Sequence, residues 1–121
     1  MLINGYSASG GDALPYYFRK RNLGTIIGTR TWGGLIGISG NPSLMDGGNV
    51  SAPQFRFLDT EGMWAVEGQG VSPDIEVVDR PDLVAAGHDP SLEAAVKLLL
   101  EQLEKNPPKK IQVPPATVSG H

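Results

Sequence analysis

The sequence predicts an α/β fold, on three observations. Two short strand-like runs, Leu2-Ile3 and Thr25-Ile-Ile-Gly28, flank an amphipathic stretch over residues 13–20. That is a βαβ unit, which pairs its strands in parallel through a right-handed crossover. Alternating segments follow between residues 49 and 67, and a second amphipathic stretch after Asp89 adds a C-terminal helix.

The elements justify themselves in order. Leu2 and Ile3 suit a short buried strand. Ser7-Ala-Ser-Gly-Gly11 is a run of small residues, a tight turn from strand to helix. In the helix, Tyr16, Tyr17 and Phe18 form an aromatic side, and Arg19, Lys20 and Arg21 place positive charge at the end that the helix dipole favours. Pro15 is expected in the first turn, where its missing N–H costs least, and Asn22-Leu-Gly24 as the C-cap. Thr25-Ile-Ile-Gly28 is β-branched and reads as the returning strand. The glycine-rich segment from Thr29 to Gly40 reads as a loop entering a short strand near residues 35–38, at the end of the sheet that holds Ser9. Residues 41–48 form turns. Asn49-Val-Ser-Ala, Gln54-Phe-Arg-Phe-Leu58 and Met63-Trp-Ala-Val-Glu67 alternate, and Asp59-Thr-Glu-Gly62 is a turn, so residues 54–66 read as a β-hairpin. Gly68-Gln-Gly-Val-Ser-Pro-Asp74 is a second glycine-rich loop, Ile75-Glu-Val-Val78 a last strand, and residues 81–87 a helical turn or two. Asp89 as N-cap, Pro90 at the first helical position and Glu93 in the first turn open the last helix. Leu92, Ala95, Val96, Leu99 and Leu103 share one of its faces. Pro107-Pro108 stops it, and the tail to His121 is Pro-rich and extended.

Composition narrows the function. At 121 residues the chain holds at most one domain, with 40 % hydrophobic and 19 % charged residues, both ordinary for a globular protein. A net charge of −3 argues against nucleic acid or an acidic membrane as partner. With no Cys there is no disulfide, thiolate metal site or Cys nucleophile. No apolar run spans a bilayer, and the first residues lack a signal-peptide pattern. The chain opens directly on a buried-type strand. This points to Met1 as an internal residue of a longer protein or an artificial start.

Ser9 is the leading chemical candidate. On a strand-to-helix turn, followed by two glycines, its hydroxyl is exposed and the first helical N–H groups are free to meet what it attacks. Ser9 then reads as a nucleophile and Gly10 N–H as part of an oxyanion hole. The bland alternative is a helix cap. Ser7 is the weaker Ser, being nearer the strand. A nucleophile needs a base. His88 sits in a loop before Asp89-Pro90, and His121 ends the tail. Lys20 is at the far end of the helix. The chain alone therefore reads as an incomplete site. Glu67 ends an apolar strand at a Gly-X-Gly loop, where a carboxylate could orient a base or hydroxyl; an ordinary strand-end charge is the alternative. Asp12 reads as complementing the helix dipole, and Asp46, Asp59 and Asp74 as turn residues. No His/Asp/Glu spacing suits a metal, and the glycine runs lack the pattern of a phosphate loop. No cofactor is expected.

Five motifs then line up: Asn4-Gly-Tyr-Ser-Ala-Ser-Gly-Gly-Asp12, Gly28-Thr-Arg-Thr-Trp-Gly-Gly34, Asp46-Gly-Gly48, Val66-Glu-Gly-Gln-Gly-Val-Ser-Pro-Asp-Ile-Glu76 and Gly87-His-Asp-Pro-Ser-Leu-Glu93. In this order they resemble the C-terminal part of the catalytic core of the S41 serine peptidases, within them the tricorn type. The resemblance covers residues 1–105, with residues 106–121 as a Pro-rich tail. It implies a clpP/crotonase-like α/β core holding the βαβ unit, the β-hairpin and the C-terminal helix. Ser9 matches the family's nucleophile and Gly10 the oxyanion-hole N–H. Glu67 matches the acid of the tricorn-type Ser-His-Ser-Glu tetrad, supporting the second Ser that orients the His. That His, its neighbouring Ser, the other oxyanion N–H and the substrate-selecting acid lie upstream in the family. The Ser-Lys branch has its Lys where this chain has Gly34, so the chain departs from that branch. The implied function is a fragment of a tricorn-like endopeptidase acting on peptides, inactive alone. The implied setting is a cytoplasmic, oligomeric parent with β-propeller and PDZ domains. The rival is a non-catalytic crotonase-like scaffold for assembly or binding, with Ser9 as a cap.

Overall fold

The computed structural model describes residues 1–112. In chain order the elements are β1 (Leu2–Ile3), α1 (Gly10–Lys20), β2 (Ile27–Gly28), β3 (Ile36–Gly37), β4 (Phe55–Arg56), β5 (Ile75–Glu76), α2 (Pro81–Ala85) and α3 (Pro90–Lys105). The βαβ unit is present: Leu2 pairs with Ile27 and Ile3 with Gly28, in parallel. β5 lies parallel on the other side of β2, giving the order β1-β2-β5. Both strand types and helices contribute, so the α/β class holds. Ile26 and Ile27 are buried because β2 is the central strand. Gly28 sits at φ +127, and a Cβ there would overlap the Ile3 carbonyl, so the close approach of β1 needs glycine.

α1 begins three residues earlier than the apolar pattern indicates, and Pro15 therefore stands in its interior rather than its first turn. There it removes the hydrogen bond that residue 15 would give to the Gly11 carbonyl. The helix ends in a Schellman arrangement: Asn22, at φ 50, donates to Arg19 O at 2.9 Å, and Leu23 N–H to Phe18 O at 3.1 Å. Asn22 takes the left-handed position, as the C-cap reading expects. At α3, Asp89 accepts from Leu92 N–H at 2.9 Å and Pro90 is the first helical residue, as read from the sequence.

Two expectations change. The strand at Ile36–Gly37 does not join the sheet of β1; it pairs antiparallel with Phe55–Arg56 in a separate two-stranded sheet. The Phe55 ring occupies the space above Gly37, where any Cβ would overlap it, and this contact selects the pairing. The hairpin over residues 54–66 is consequently reduced. Its turn closes with Gly62 N–H on Asp59 O at 3.1 Å, but between its arms only the Leu58–Trp64 bridge forms. Asn49-Val-Ser-Ala forms no strand.

The core gathers Ile3, Ile26, Leu35, Ala65, Val66 and Val71, with Met1, Ala13, Tyr16 and Phe18 against it. α3 contributes little to it. Leu92, Val96, Leu99 and Leu103 of the expected apolar face are 46–57 % exposed; the helix packs near β1 and β2, and its less exposed positions include Ser91, Ala94, Ala95 and Leu98. The start of the tail, residues 106–112, has no regular structure. The rest of the tail, with His121, lies outside the described residues.

Candidate active site

Ser9 ends the turn after β1 and is the residue before α1. Its backbone is at φ 54, ψ −108, a region that non-glycine residues rarely enter. Its amide donates to Asp12 Oδ2 at 2.8 Å and to the Gly34 carbonyl at 3.2 Å. Its carbonyl accepts from Asp12 and Ala13, both at 2.9 Å. The hydroxyl lies on the Asp12 N–H side, in a capping-box outline, without forming a cap hydrogen bond. It is a side chain aimed outward from a fully tied backbone.

In the first turn of α1, Gly11 N–H is bonded to Ala8 O at 2.8 Å, and Asp12 and Ala13 N–H are bonded to Ser9 O. Among the described residues Gly10 N–H has no such acceptor, and the space around the position is open, with nothing within 4 Å of a Cβ built there. An unpartnered helical N–H beside an exposed hydroxyl can receive the oxygen of a bound carbonyl.

Glu67 reaches the same place from the other side. Its Oε2 accepts Leu35 N–H at 2.5 Å. The Gly34–Leu35 peptide unit thus gives its carbonyl to Ser9 and its N–H to Glu67, so the two residues flank one peptide plane. The carboxylate is half-buried, and its second oxygen is not engaged by any described side chain. Val66, just before it, is at φ 67, a conformation that a β-branched residue holds only under constraint.

The segment between them is built on glycines. Gly33 is at φ +86, and a Cβ there would be 2.6 Å from Gly70 N; its carbonyl accepts Gly68 N–H at 2.7 Å. A Cβ at Gly34 would stand 2.7 Å from the Trp32 indole. A Lys at position 34 therefore requires Trp32 to move. The nearby cleft lined by Tyr16, Leu35, Phe57 and Val66 does not include Ser9, Gly10 or Glu67, which stand on a more open face.

The other candidates lie apart. His88 Nδ1 is 3.1 Å from Glu93 Oε1 on an exposed loop. Lys20, at the far end of α1, is paired with Glu61 at 3.2 Å, and that hydrogen bond holds its ammonium above its ordinary pKa, which keeps it protonated and unavailable as a general base. Asp59 closes its own turn with Met63 N–H at 2.8 Å, and Asp46 does the same with Gly48 N–H at 2.9 Å. Asp74 accepts Ile26 N–H at 2.8 Å and pairs with Arg19 at 2.9 Å; the amide first and the guanidinium second hold its carboxyl below its ordinary value. Asp12 does more than complement a dipole: it is fully buried and accepts three backbone N–H groups. The capping-box spacing Ser9-Gly-Gly-Asp12 signals the first of these; nothing local signals the other two. Among the described residues no group of three His, Asp or Glu is placed to hold a metal ion, and no helix is long and apolar enough to cross a membrane.

Comparison with known proteins gives one consistent result. The model of peptidase family S41 matches residues 1–77. The chain is 41 % identical over 113 residues to a tricorn protease from Thermoplasma volcanium, covering 93 % of this chain and 11 % of the relative. It is 41 % identical over 108 residues to tricorn protease homolog 1 from Streptomyces coelicolor, covering 89 % and 10 %. The crystal structure of the tricorn protease matches it with a TM-score of 0.80 at 39 % identity, over 85 % of this chain and 10 % of that one. The chain thus spans about a tenth of the length of the relatives it matches.

Proposed function

The chain belongs to peptidase family S41, and from that membership we propose that it is a fragment of a tricorn-like serine endopeptidase that cleaves peptides through Ser9. The observation that carries the reading is the constrained backbone of Ser9 beside the unpartnered Gly10 N–H, with Glu67 across one peptide unit. Ser9 Oγ attacks the scissile carbonyl. Gly10 N–H donates to the oxygen that becomes negative. The free oxygen of Glu67 holds the distal end of a relay whose His and second Ser come from an upstream segment of the parent chain. Gly34 supports this branch over a Ser-Lys one, because no side chain fits there while Trp32 stays in place.

The wider reading follows the same line. Residues 1–105 form the C-terminal part of a clpP/crotonase-like catalytic core and residues 106–121 a tail. The parent is cytoplasmic and oligomeric, with β-propeller, PDZ and N-terminal catalytic segments. Its substrates are peptides. The isolated chain is inactive, since His88 is committed to Glu93 and no other described group stands as base to Ser9. The rival scaffold reading keeps Ser9 as a helix cap, a role that its capping-box arrangement with Asp12 also fits; the labelling experiment separates the two.

The test is a fluorophosphonate probe on the full-length parent and its Ser9→Ala variant, with peptide hydrolysis by the 121-residue chain as a third arm. Labelling of the parent alone is expected. Labelling that survives Ser9→Ala, or Ser9-dependent hydrolysis by the isolated chain, contradicts the proposal.

A further inference from the structure

We infer that Asp12 is a positioning residue: its carboxylate holds the Ser9 elbow and the segment facing Glu67 in one frame. The inference rests on the reading of Ser9 as nucleophile. Asp12 is 0 % exposed. Among the described residues its carboxylate meets backbone N–H groups and no cationic side chain. Oδ1 accepts from Gly33 at 2.8 Å; Oδ2 accepts from Ser9 at 2.8 Å and from Gly34 at 3.1 Å.

The pattern exceeds what a helix cap needs. Asp12 N–H also donates to the Ser9 carbonyl at 2.9 Å, so one residue grips both peptide groups of Ser9. A non-glycine residue stays at such φ and ψ only where its surroundings over-determine it. The bonds to Gly33 and Gly34 reach 21 and 22 residues along the chain and serve no capping purpose. Gly33, Gly34 and Leu35 are three successive N–H donors. The first two go to Asp12 and the third to Glu67. The segment is therefore held between two carboxylates, and Asp12 fixes its spacing from the hydroxyl.

Asp12→Asn tests this at constant shape, replacing one acceptor oxygen by an amide that faces N–H donors. Asp12→Ser, which replaces the two carboxylate oxygens by one shorter hydroxyl without adding volume, is the second variant. Asp74→Asn is the control, since Asp74 also ties distant backbone but touches none of the site. In the full-length parent, Asp12→Asn and Asp12→Ser are expected to slow fluorophosphonate labelling and kcat at least tenfold with KM within twofold, as misplacement of a reacting group does. Asp74→Asn is expected to lower Tm yet label within twofold of wild type. Wild-type labelling rates in both Asp12 variants overturn the inference. If the parent itself is not labelled, the reading of Ser9 fails, and hydrogen exchange on the 121-residue chain decides the clamp separately. There Asp12→Asn is expected to speed exchange at the Ser9, Gly33 and Gly34 amides more than tenfold and leave Ile27 unchanged; unaltered exchange at those three overturns it.

Discussion

Gly33 and Gly47 form a matched pair for measuring what the glycine segment does. Both have φ near the same value, +86 and +81. A Cβ at Gly33 would stand 2.6 Å from Gly70 N and 3.1 Å from Gln69 N, all backbone, whereas one at Gly47 meets nothing within 4 Å. Alanine at either position costs about 1–2 kcal/mol for the left-handed backbone. At Gly33 the forced backbone shift adds about 1–3 kcal/mol, because the 68–70 loop is bonded back to the Gly33 carbonyl and has little room to retreat. Gly33→Ala is therefore expected to cost about 2–5 kcal/mol, a large part of the stability of a small domain. Urea unfolding followed by circular dichroism reads the difference. With an m-value of about 1–2 kcal/mol per molar, the extra ~1–3 kcal/mol should make Gly33→Ala unfold about 0.5–3 M earlier than Gly47→Ala. Equal midpoints for the two variants refute the close-approach argument and leave only the φ penalty.

Other outcomes follow from named contacts. Ser9→Gly is expected to be more stable than Ser9→Ala by about 1 kcal/mol, because glycine relieves the strained φ and alanine does not; thermal melts of the two variants decide it. Asp74 has a depressed carboxyl pKa in the fold, so its contribution is present above its ordinary value of 3.8 and lost as pH falls through the folded value. The Tm gap between wild type and Asp74→Asn should thus hold steady from pH 7 to 5 and narrow below about pH 4; a gap that widens on acidification contradicts this sign. Val96→Lys, on the exposed face of α3, should change stability by less than about 0.5 kcal/mol, measurable in the same urea titration; a loss above about 2 kcal/mol would mean the face is buried in this chain.

Local signals in the sequence carried the βαβ unit and the start of α3. Leu2-Ile3, Thr25-Ile-Ile-Gly28 and Asp89-Pro90 each announce their structure within a few residues. The place of Ser9 between strand and helix is legible for the same reason. What failed depended on contacts remote in sequence. Alternation at Gln54-Phe-Arg-Phe-Leu58 shows a strand but cannot say that Phe55 will cover Gly37 rather than pair fully across the 59–62 turn. Pro15 reads as an N-terminal residue only if the helix starts at residue 13, and the Asp12 carboxylate, accepting the Ser9 N–H, moves that start back across two glycines. Asp12 looks like an ordinary first-turn acid because two of its three partners lie beyond residue 30.

The order of the parallel sheet bears on how the chain reaches this state. Its central strand draws one neighbour from the first residues and the other from Ile75–Glu76, so no pairing within it is closed by a tight turn. Each contact waits for a long loop to close. α1 and α3 can form early from local bonds, but β2 gains both partners only when distant stretches arrive. The elbow of Ser9, tied at Gly34, and the carboxylate of Glu67, tied at Leu35, are assembled in that same late step. Folding intermediates of this chain should contain helix before they contain any trace of the site.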